Sequence, residues 1–385
     1  MGWERQKSTI SAKPEEPSFI LWMMLGVLAL VGCVLLFVLH ANQLAGPLQT
    51  FNLWAVTACP AVVWILFICL RGWLYNNAFD RHEFEAGEAE YAQQQWMEWS
   101  GRNITVLHSG VMLPANLTSQ LFLAAPPTLE QSTSLTRRIC QQGGHEAYFS
   151  VLLSGLSPAL EKLPSDIEPA VTLLTDSQDD LPALQDEFVH AWQTAIPDRL
   201  VPQLTILKSK SFLSLDERIK SPTLDVDLIL IYQTQGRDAY SDALAVLLLT
   251  SDDVATKYNL SFNARILRPM ALDMAISEKS LDTFFSTQTQ ACATASIVGD
   301  NVEWGNAFSG LLQAAQSYGG HWKPEQLHWL EKYAGLSGPF SPWIMAAVAS
   351  DIVNIQKADC LMLSTDGEQK FINTVQTGNR NNDNG

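Results

Sequence analysis

Residues 19–39 read FILWMMLGVLALVGCVLLFVL and residues 51–70 read FNLWAVTACPAVVWILFICL. Neither run holds a charged residue, and the connector His40–Thr50 holds no Asp, Glu, Lys or Arg. At about 1.5 Å rise per residue, the first run makes a helix about 32 Å long, enough for a bilayer core. Fourteen of its residues are Leu, Ile, Val or Phe, each favouring insertion by about 0.3–0.6 kcal/mol near the bilayer centre. A buried soluble helix rarely stays free of charge over this length. A cleaved signal peptide has a shorter apolar region and no second run behind it. The two runs therefore predict a transmembrane helical hairpin over 18–72, after an N-terminal segment of residues 1–17.

Orientation follows from basic residues near the ends. Arg5, Lys7 and Lys13 precede the first run, and Arg71 and Arg81 follow the second. The positive-inside rule places both termini in the cytoplasm and the connector outside. The expected location is thus the inner membrane of a cell, with the bilayer as first partner. Small residues (Gly26, Ala29 and Cys33; Thr57, Ala58 and Ala61) allow close helix approach, within one hairpin or between copies in a homo-oligomer. Pro60 predicts a kink in the second span.

Beyond the hairpin, 20 basic residues face 37 acidic ones, a charge of about −17. Nucleic-acid binding needs basic stripes that displace counterions, so this balance excludes it as a first reading. Three cysteines lie in the apolar runs; Cys140, Cys292 and Cys360 are widely spaced and form neither a disulfide framework nor a metal pair.

Residues 73–102 read as a juxtamembrane helix ending at Ser100-Gly101. Residues 103–375 alternate short apolar runs with helical stretches, which predicts an α/β domain. Strands are expected at Ile104–His108, Tyr148–Leu153, Ala170–Thr175, Leu204–Leu207, Asp227–Gln233, Ala243–Thr250 and Phe262–Leu267. Helices are expected at Leu129–Gln141, Pro158–Leu163, Leu181–Ile196, Ser277–Gln288, Glu303–Ser317 and Pro324–Ala334. The runs Leu228–Tyr232 and Ala243–Leu249, joined by the turn residues 236–238, read as a hairpin and make the sheet mixed. Residues 376–385 read as a disordered tail.

Phosphate-loop, dinucleotide-binding, nucleophile-elbow and zinc-protease patterns are all absent from the sequence. Asp225 and Asp227 flank Val226 just before a strand; such a pair can hold Mg²⁺ or Mn²⁺, or solvate the strand edge. His321 and His328 are seven apart, hence on one face if helical, and can bind a ligand or pack in an aromatic face. Gly-Gly-His occurs at 143–145 and again at 319–321, which reads as internal duplication or as coincidence.

The string Thr289-Gln290-Ala291-Cys292-Ala293-Thr294 resembles the nucleophile segment of thiolase-like condensing enzymes. That resemblance implies a reactive thiolate at Cys292 and a thiolase-like fold. The family's later histidine motifs are missing around His321 and His328, so the fold it implies is a degenerate one. In layout, and in the stretches Val111–Pro114 and Gln131–Arg138, the whole chain resembles uncharacterised two-pass inner-membrane proteins of Gram-negative type VI secretion clusters. That likeness implies an accessory role and no catalytic residue.

The first expectation for function is a membrane-anchored scaffold that binds a protein partner in a membrane complex, and is not an enzyme. The alternatives are a membrane-tethered enzyme with an unrecognised α/β active site, for which Cys292 and His321 are the candidate catalytic residues, and an immunity protein against a secreted toxin. No cofactor is expected.

Overall fold

The structure is a computed structural model that describes residues 3–4, 7–44, 46–139, 144–164, 167–178, 181–273 and 277–378. The chain divides into two compact units: residues 5–95, and residues 96–385 together with Met1–Glu4.

The first unit holds α1 (Phe19–Ala41) and most of α2 (Leu53–Gly101). Both helices are long and apolar enough to cross a membrane, and neither apolar window is buried. Ser18 caps α1 by accepting from Leu21 N–H. The helices approach most closely at glycine: a Cβ on Gly26 would lie 2.8 Å from the Trp64 ring. The Trp64 indole donates to the Trp22 carbonyl at 3.1 Å. Near the apolar end of the chain's N-terminal segment, Ser11 N–H donates to Glu85 at 2.8 Å. Arg81 donates to the same carboxylate.

The juxtamembrane helix expected as a separate element is instead continuous with the second apolar helix, and α2 runs 49 residues through Pro60. Between the two expected helices lie only Arg71 and Gly72, with no proline to end the helix. The pairs Asn76–Asp80 and Arg81–Glu85, four residues apart, bridge the junction.

The second unit begins with β1 (Asn103–Met112), α3 (Ser119–Ala124), α4 (Gly144–Ser154) and α5 (Ser157–Glu161). Next come β2 (Pro169–Thr175), α6 (Leu181–Ala195), β3 (Leu204–Leu207), α7 (Ser214–Lys220), β4 (Val226–Gln233) and β5 (Ala243–Ser251). After α8 (Asp252–Lys257) follow β6 (Ala264–Leu267), β7 (Met270–Leu272), α9 (Ser277–Thr287) and β8 (Ser296–Gly299). The chain closes with α10 (Trp304–Gln316), β9 (Leu327–Trp329), α11 (Glu331–Ala334), α12 (Ser341–Gln356), β10 (Cys360–Asp366) and β11 (Gln369–Thr377).

One mixed sheet takes all the strands in the order β3-β2-β4-β5-β1-β6-β11-β10-β8-β9, with β7 beside β11. The order contains a repeat. In the first half the chain visits positions 3-2-4-5-1. Counting β6, β8, β9, β10 and β11 as one to five, the second half reads 3-2-4-5-1 from its own edge. The sense of each pairing also repeats: β4–β5 and β10–β11 are antiparallel hairpins, while β2–β4 and β8–β10 are parallel. The halves meet at the antiparallel pair β1–β6, with Asn103 opposite Leu267. The Gly-Gly-His strings do not mark this duplication. The first falls at the start of α4, partly outside the described residues, and the second precedes β9, so they occupy different connections.

Strand alternation sorts the core into layers. On β5, Ala245, Leu247 and Leu249 join α12. Leu244, Val246 and Leu248 face α4 and α6 on the other side. In the second half, Cys360 and Met362 join α12, while Leu361 and Leu363 join α9 and α10. Helix α12 therefore packs against strands of both halves.

Three expected elements differ. Tyr148–Leu153 lies in α4, because Phe149, Leu152, Leu153 and Leu156 are all buried at helical spacing. The expected helix Leu129–Gln141 is irregular through Ile139, since its backbone bonds to neighbours: Ser132 N–H to Lys332 O, Leu135 O from Leu336 N–H, and Arg137 O from Asp242 N–H. Pro324–Ala334 is a 3-10 turn, β9 and α11 rather than one helix. Strand β11 also continues through Thr377, into the expected tail, and residues 379–385 lie outside the described ones.

Candidate functional site

Cys292 sits in a 3-10 turn just before β8 and is buried. Burial pushes its thiol up to about 11, against the pull of a hydrogen bond from the Gly320 backbone. Its sulfur lies 3.9 Å from the Ala315 carbonyl. The two strings singled out in the sequence do meet here: Trp322 Nε1 donates to the Thr294 carbonyl at 2.9 Å. Their chemistry does not, because the His321 side chain is exposed while the thiol is buried. A thiol raised this far is a poor nucleophile at neutral pH.

His321 and His328 do not share a helix face. His321 is in a loop and His328 in β9, where it is half-buried and packs edge-on against Phe122 with 5.8 Å between ring centroids. Burial lowers its pKa.

Asp225 and Asp227 serve a neighbouring arginine. Arg218 Nε donates to Asp227 at 2.8 Å, and its Nη2 donates to the Asp225 carbonyl oxygen at 2.9 Å. The Asp225 carboxylate accepts from Thr223 Oγ1 at 2.6 Å. Among the described residues no cluster of three or more His, Cys, Asp or Glu side chains is arranged to hold a metal.

The N-terminus of α12 carries a polar centre that sequence reasoning missed. Asp300, at the carboxyl end of β8, is fully buried. Its carboxylate accepts from Ser341 Oγ at 2.7 Å, Trp304 Nε1 at 2.8 Å and Thr365 N–H at 2.7 Å. Burial raises its pKa, and those donors oppose the rise. The centre is sealed: residues 131–139 cross over it, and Gly335, at φ +83°, brings its backbone where a Cβ would lie 2.4 Å from the Leu135 carbonyl. The remaining cavity there is about 20 Å³, too small for a substrate.

An open cavity lies elsewhere, beside the last turn of α2. Here Trp99 and Ser100 are buried. Arg268, also fully buried, stacks its guanidinium 4.2 Å from the Trp99 ring centroid, donates to the Trp99 carbonyl and pairs with Asp216. Ser100 Oγ bonds the Thr287 carbonyl at 2.9 Å, and Gln288 Nε2 bonds the Ser100 carbonyl at 3.1 Å. Beside this clamp is a cleft of about 750 Å³, within the size range of small-molecule sites. Met97, Ile104, Ile219 and Pro222 form apolar wall; Arg102, Asn103, Arg218, Asp252, Asp253 and Gln290 supply polar groups.

Three polar atoms of this lining are buried without a hydrogen-bond partner in the protein: Arg218 Nη1, Asn103 Oδ1 and Gln290 Oε1. Leaving such a group unpaired costs about 1–3 kcal/mol. All three belong to residues that line the cleft but lie out of reach of solvent, so they are polar groups that the fold leaves unpaired and not contacts offered to a ligand. The signal in sequence was faint: Gln290 lies within the Thr289–Thr294 string, and Asp225 and Asp227 fix Arg218, but no spacing joins these positions.

No protein-family model matches the chain, and no curated protein sequence does. Solved structures do resemble it in fold. One is a type II PKS acyl-carrier protein in complex with its ketosynthase: 11% identity, 72% of this chain and 99% of that chain, TM-score 0.49. Another is an oxazolomycin ketosynthase domain from Streptomyces albus JA3453, at 10% identity, 72% and 96% coverage, and TM-score 0.47. A third is 3-oxoacyl-(acyl carrier protein) synthase III from Pseudomonas aeruginosa, at 12% identity, 72% and 98% coverage, and TM-score 0.42. The second unit is a mixed-sheet α/β fold. The first expectation, a scaffold that is not an enzyme, is withdrawn in favour of the tethered-enzyme alternative.

Proposed function

We propose that this chain is a membrane-tethered enzyme whose substrate site is the cleft formed by the end of α2, α7, the end of β5 and Gln290. The observation that carries the proposal is an open cleft of about 750 Å³ whose lining includes Arg218, held in place by the Asp227 carboxylate and the Asp225 carbonyl. A guanidinium fixed in this way meets a ligand with little further loss of side-chain freedom. Cys292 has no part in the proposal.

The tether is proposed to lie in an inner membrane, with both termini cytoplasmic. The basic residues flanking the hairpin support this orientation. That the two ends share one side is supported by Trp3, whose indole donates to the Pro269 carbonyl at 2.8 Å and packs edge-on against Trp99. A chain whose third residue docks in the domain that follows the second span needs an even number of crossings. Placement within a Gram-negative type VI secretion cluster is part of the same proposal and rests on layout and on the stretches 111–114 and 131–138.

The test is turnover. Full-length protein in detergent is incubated with a small-molecule extract of bacterial cells, and the mixture is profiled by mass spectrometry. At least one compound should be consumed, and Arg218→Lys should slow its loss tenfold or more. Identical profiles for active, heat-treated and Arg218→Lys protein would remove the proposal.

A further inference from the structure

A groove of about 550 Å³ opens where the chain passes from the end of α6 towards β3, the outermost strand of the sheet. Leu160, Leu163 and Ile196 are buried and form its floor. Pro197, Leu200 and Pro202 give it apolar surface that solvent reaches. Leu200 is 80% exposed, the highest value of any large apolar side chain among the described residues, those of the two apolar helices included. The loop that carries it is anchored. The neighbouring Arg199 donates to the carbonyls of Leu160 at 2.7 Å, Leu163 at 2.6 Å and Ile167 at 3.1 Å. Leu200 is therefore held out beside the groove by a fixed backbone. The rim is acidic: Glu161, Glu168 and Asp198 are exposed and form no ion pair with the described residues. Only Arg199 sets a positive charge against them in this lining, and its guanidinium is spent on the three carbonyls. Lys162, next in sequence to Glu161, turns its Nζ to Ser261 Oγ at 2.8 Å.

We infer that this groove docks a basic segment of another protein, with an apolar side chain entering beside Leu200 and Lys or Arg side chains facing Glu161, Glu168 and Asp198. Charge complementarity selects this occupant. An anionic lipid surface would meet carboxylates of its own sign. A second copy would bring the same acidic rim against itself, in a chain of net charge −16. A partner with an apolar anchor flanked by cations answers both the groove and its rim. The surface is distinct from the cleft at the end of α2, shares no lining residue with it, and does not depend on the enzyme reading.

The experiment is fluorescence anisotropy of full-length protein in phosphatidylcholine nanodiscs, with empty discs as control. The probe is a fluorescein-labelled peptide in which leucines alternate with lysines. Two further peptides replace every lysine by glutamate or every leucine by serine. The leucine–lysine peptide should bind about tenfold more tightly than either. Leu200→Ser, at an exposed position, should weaken it severalfold, and so should Glu168→Gln combined with Asp198→Asn. Glu368→Gln, an exposed carboxylate in the β10–β11 turn, should leave it unchanged. No binding, affinity unmoved by Leu200→Ser, or equal weakening by Glu368→Gln overturns the inference, the last by showing attraction to net charge alone. Sedimentation of the same samples tests the rival occupant: self-association that Leu200→Ser abolishes assigns the groove to a second copy and also overturns it. Arg218→Lys should bind the peptide as the wild type does, so loss of turnover in that variant and loss of docking in Leu200→Ser are read separately.

Discussion

The two halves of the sheet share one strand order but not one crossover helix. Between β9 and β10 the chain forms α12, sixteen residues long, with twelve buried. Between β3 and β4, the corresponding connection, it forms α7, seven residues long, with only Leu215 and Ile219 buried. The long helix fills the space it crosses and closes the polar centre around Asp300. The short helix ends at Lys220, and the cleft opens beside its last turn, with Arg218, Ile219 and Pro222 in the lining. Repetition thus supplied a frame, and the departure from repetition supplied a site. Stability is concentrated in one connection and binding capacity in the other.

That contrast can be broken most severely in α12. Trp343→Ala removes a buried indole whose nitrogen bonds the Lys210 carbonyl at 2.9 Å. It should cost about 3–5 kcal/mol in chemical denaturation; a loss below 1 kcal/mol would show that α12 is not the structural crossover. Asp300→Asn should cost about 1–3 kcal/mol, since the amide turns an N–H donor toward one of the three donors that the carboxyl accepts from and leaves it buried without a partner.

Asp351, also on α12, sharpens the comparison through pH. It accepts from Ser109 Oγ at 2.5 Å and Ser119 Oγ at 3.2 Å, and burial raises its pKa. A carboxyl that keeps its proton to higher pH in the folded state than in the unfolded chain favours folding at low pH. That contribution is lost as pH rises from the unfolded value of about 3.9 through the raised folded value. As pH rises above about 4, the urea midpoint should therefore fall by more in the wild type than in Asp351→Asn. An unchanged slope would remove Asp351 as its source.

At Cys292 the expected change is in reactivity. With its thiol pushed up to about 11, alkylation by iodoacetamide at pH 8 should be far slower in native than in unfolded protein. Cys292→Ala should leave turnover intact, and rapid native labelling would restore the thiolate reading. The smallest effect belongs to the cleft rim, where Arg102→Ala should change stability by less than about 0.5 kcal/mol.

The apolar hairpin was legible because length and absence of charge are sufficient signals. Strands β2 to β6 were legible because their β-branched and leucine-rich runs are bounded by turn residues. Helix α12 was not, since a helix buried on nearly all sides has no amphipathic period; Trp343–Ala349 reads as an apolar run without a face. Residues 131–139 were misread because their backbone partners, Lys332, Leu336 and Asp242, come from distant sequence. The cleft was hidden for the same reason: Asn103, Arg218 and Gln290 are brought together by the fold alone, and each is ordinary in its own neighbourhood. Asp225-Val226-Asp227 was noticed as a metal pair or a solvated strand edge, while its contact with Arg218 could not be seen because that arginine lies on a separate helix.

One paired measurement separates the two connections: turnover and thermal stability of Arg218→Lys and Asp351→Asn, made in the same full-length protein. Arg218→Lys should lose turnover tenfold or more with little change in melting temperature. Asp351→Asn should alter the melting temperature and keep turnover per folded molecule. The opposite assignment, or equal turnover in wild type and Arg218→Lys, would contradict it.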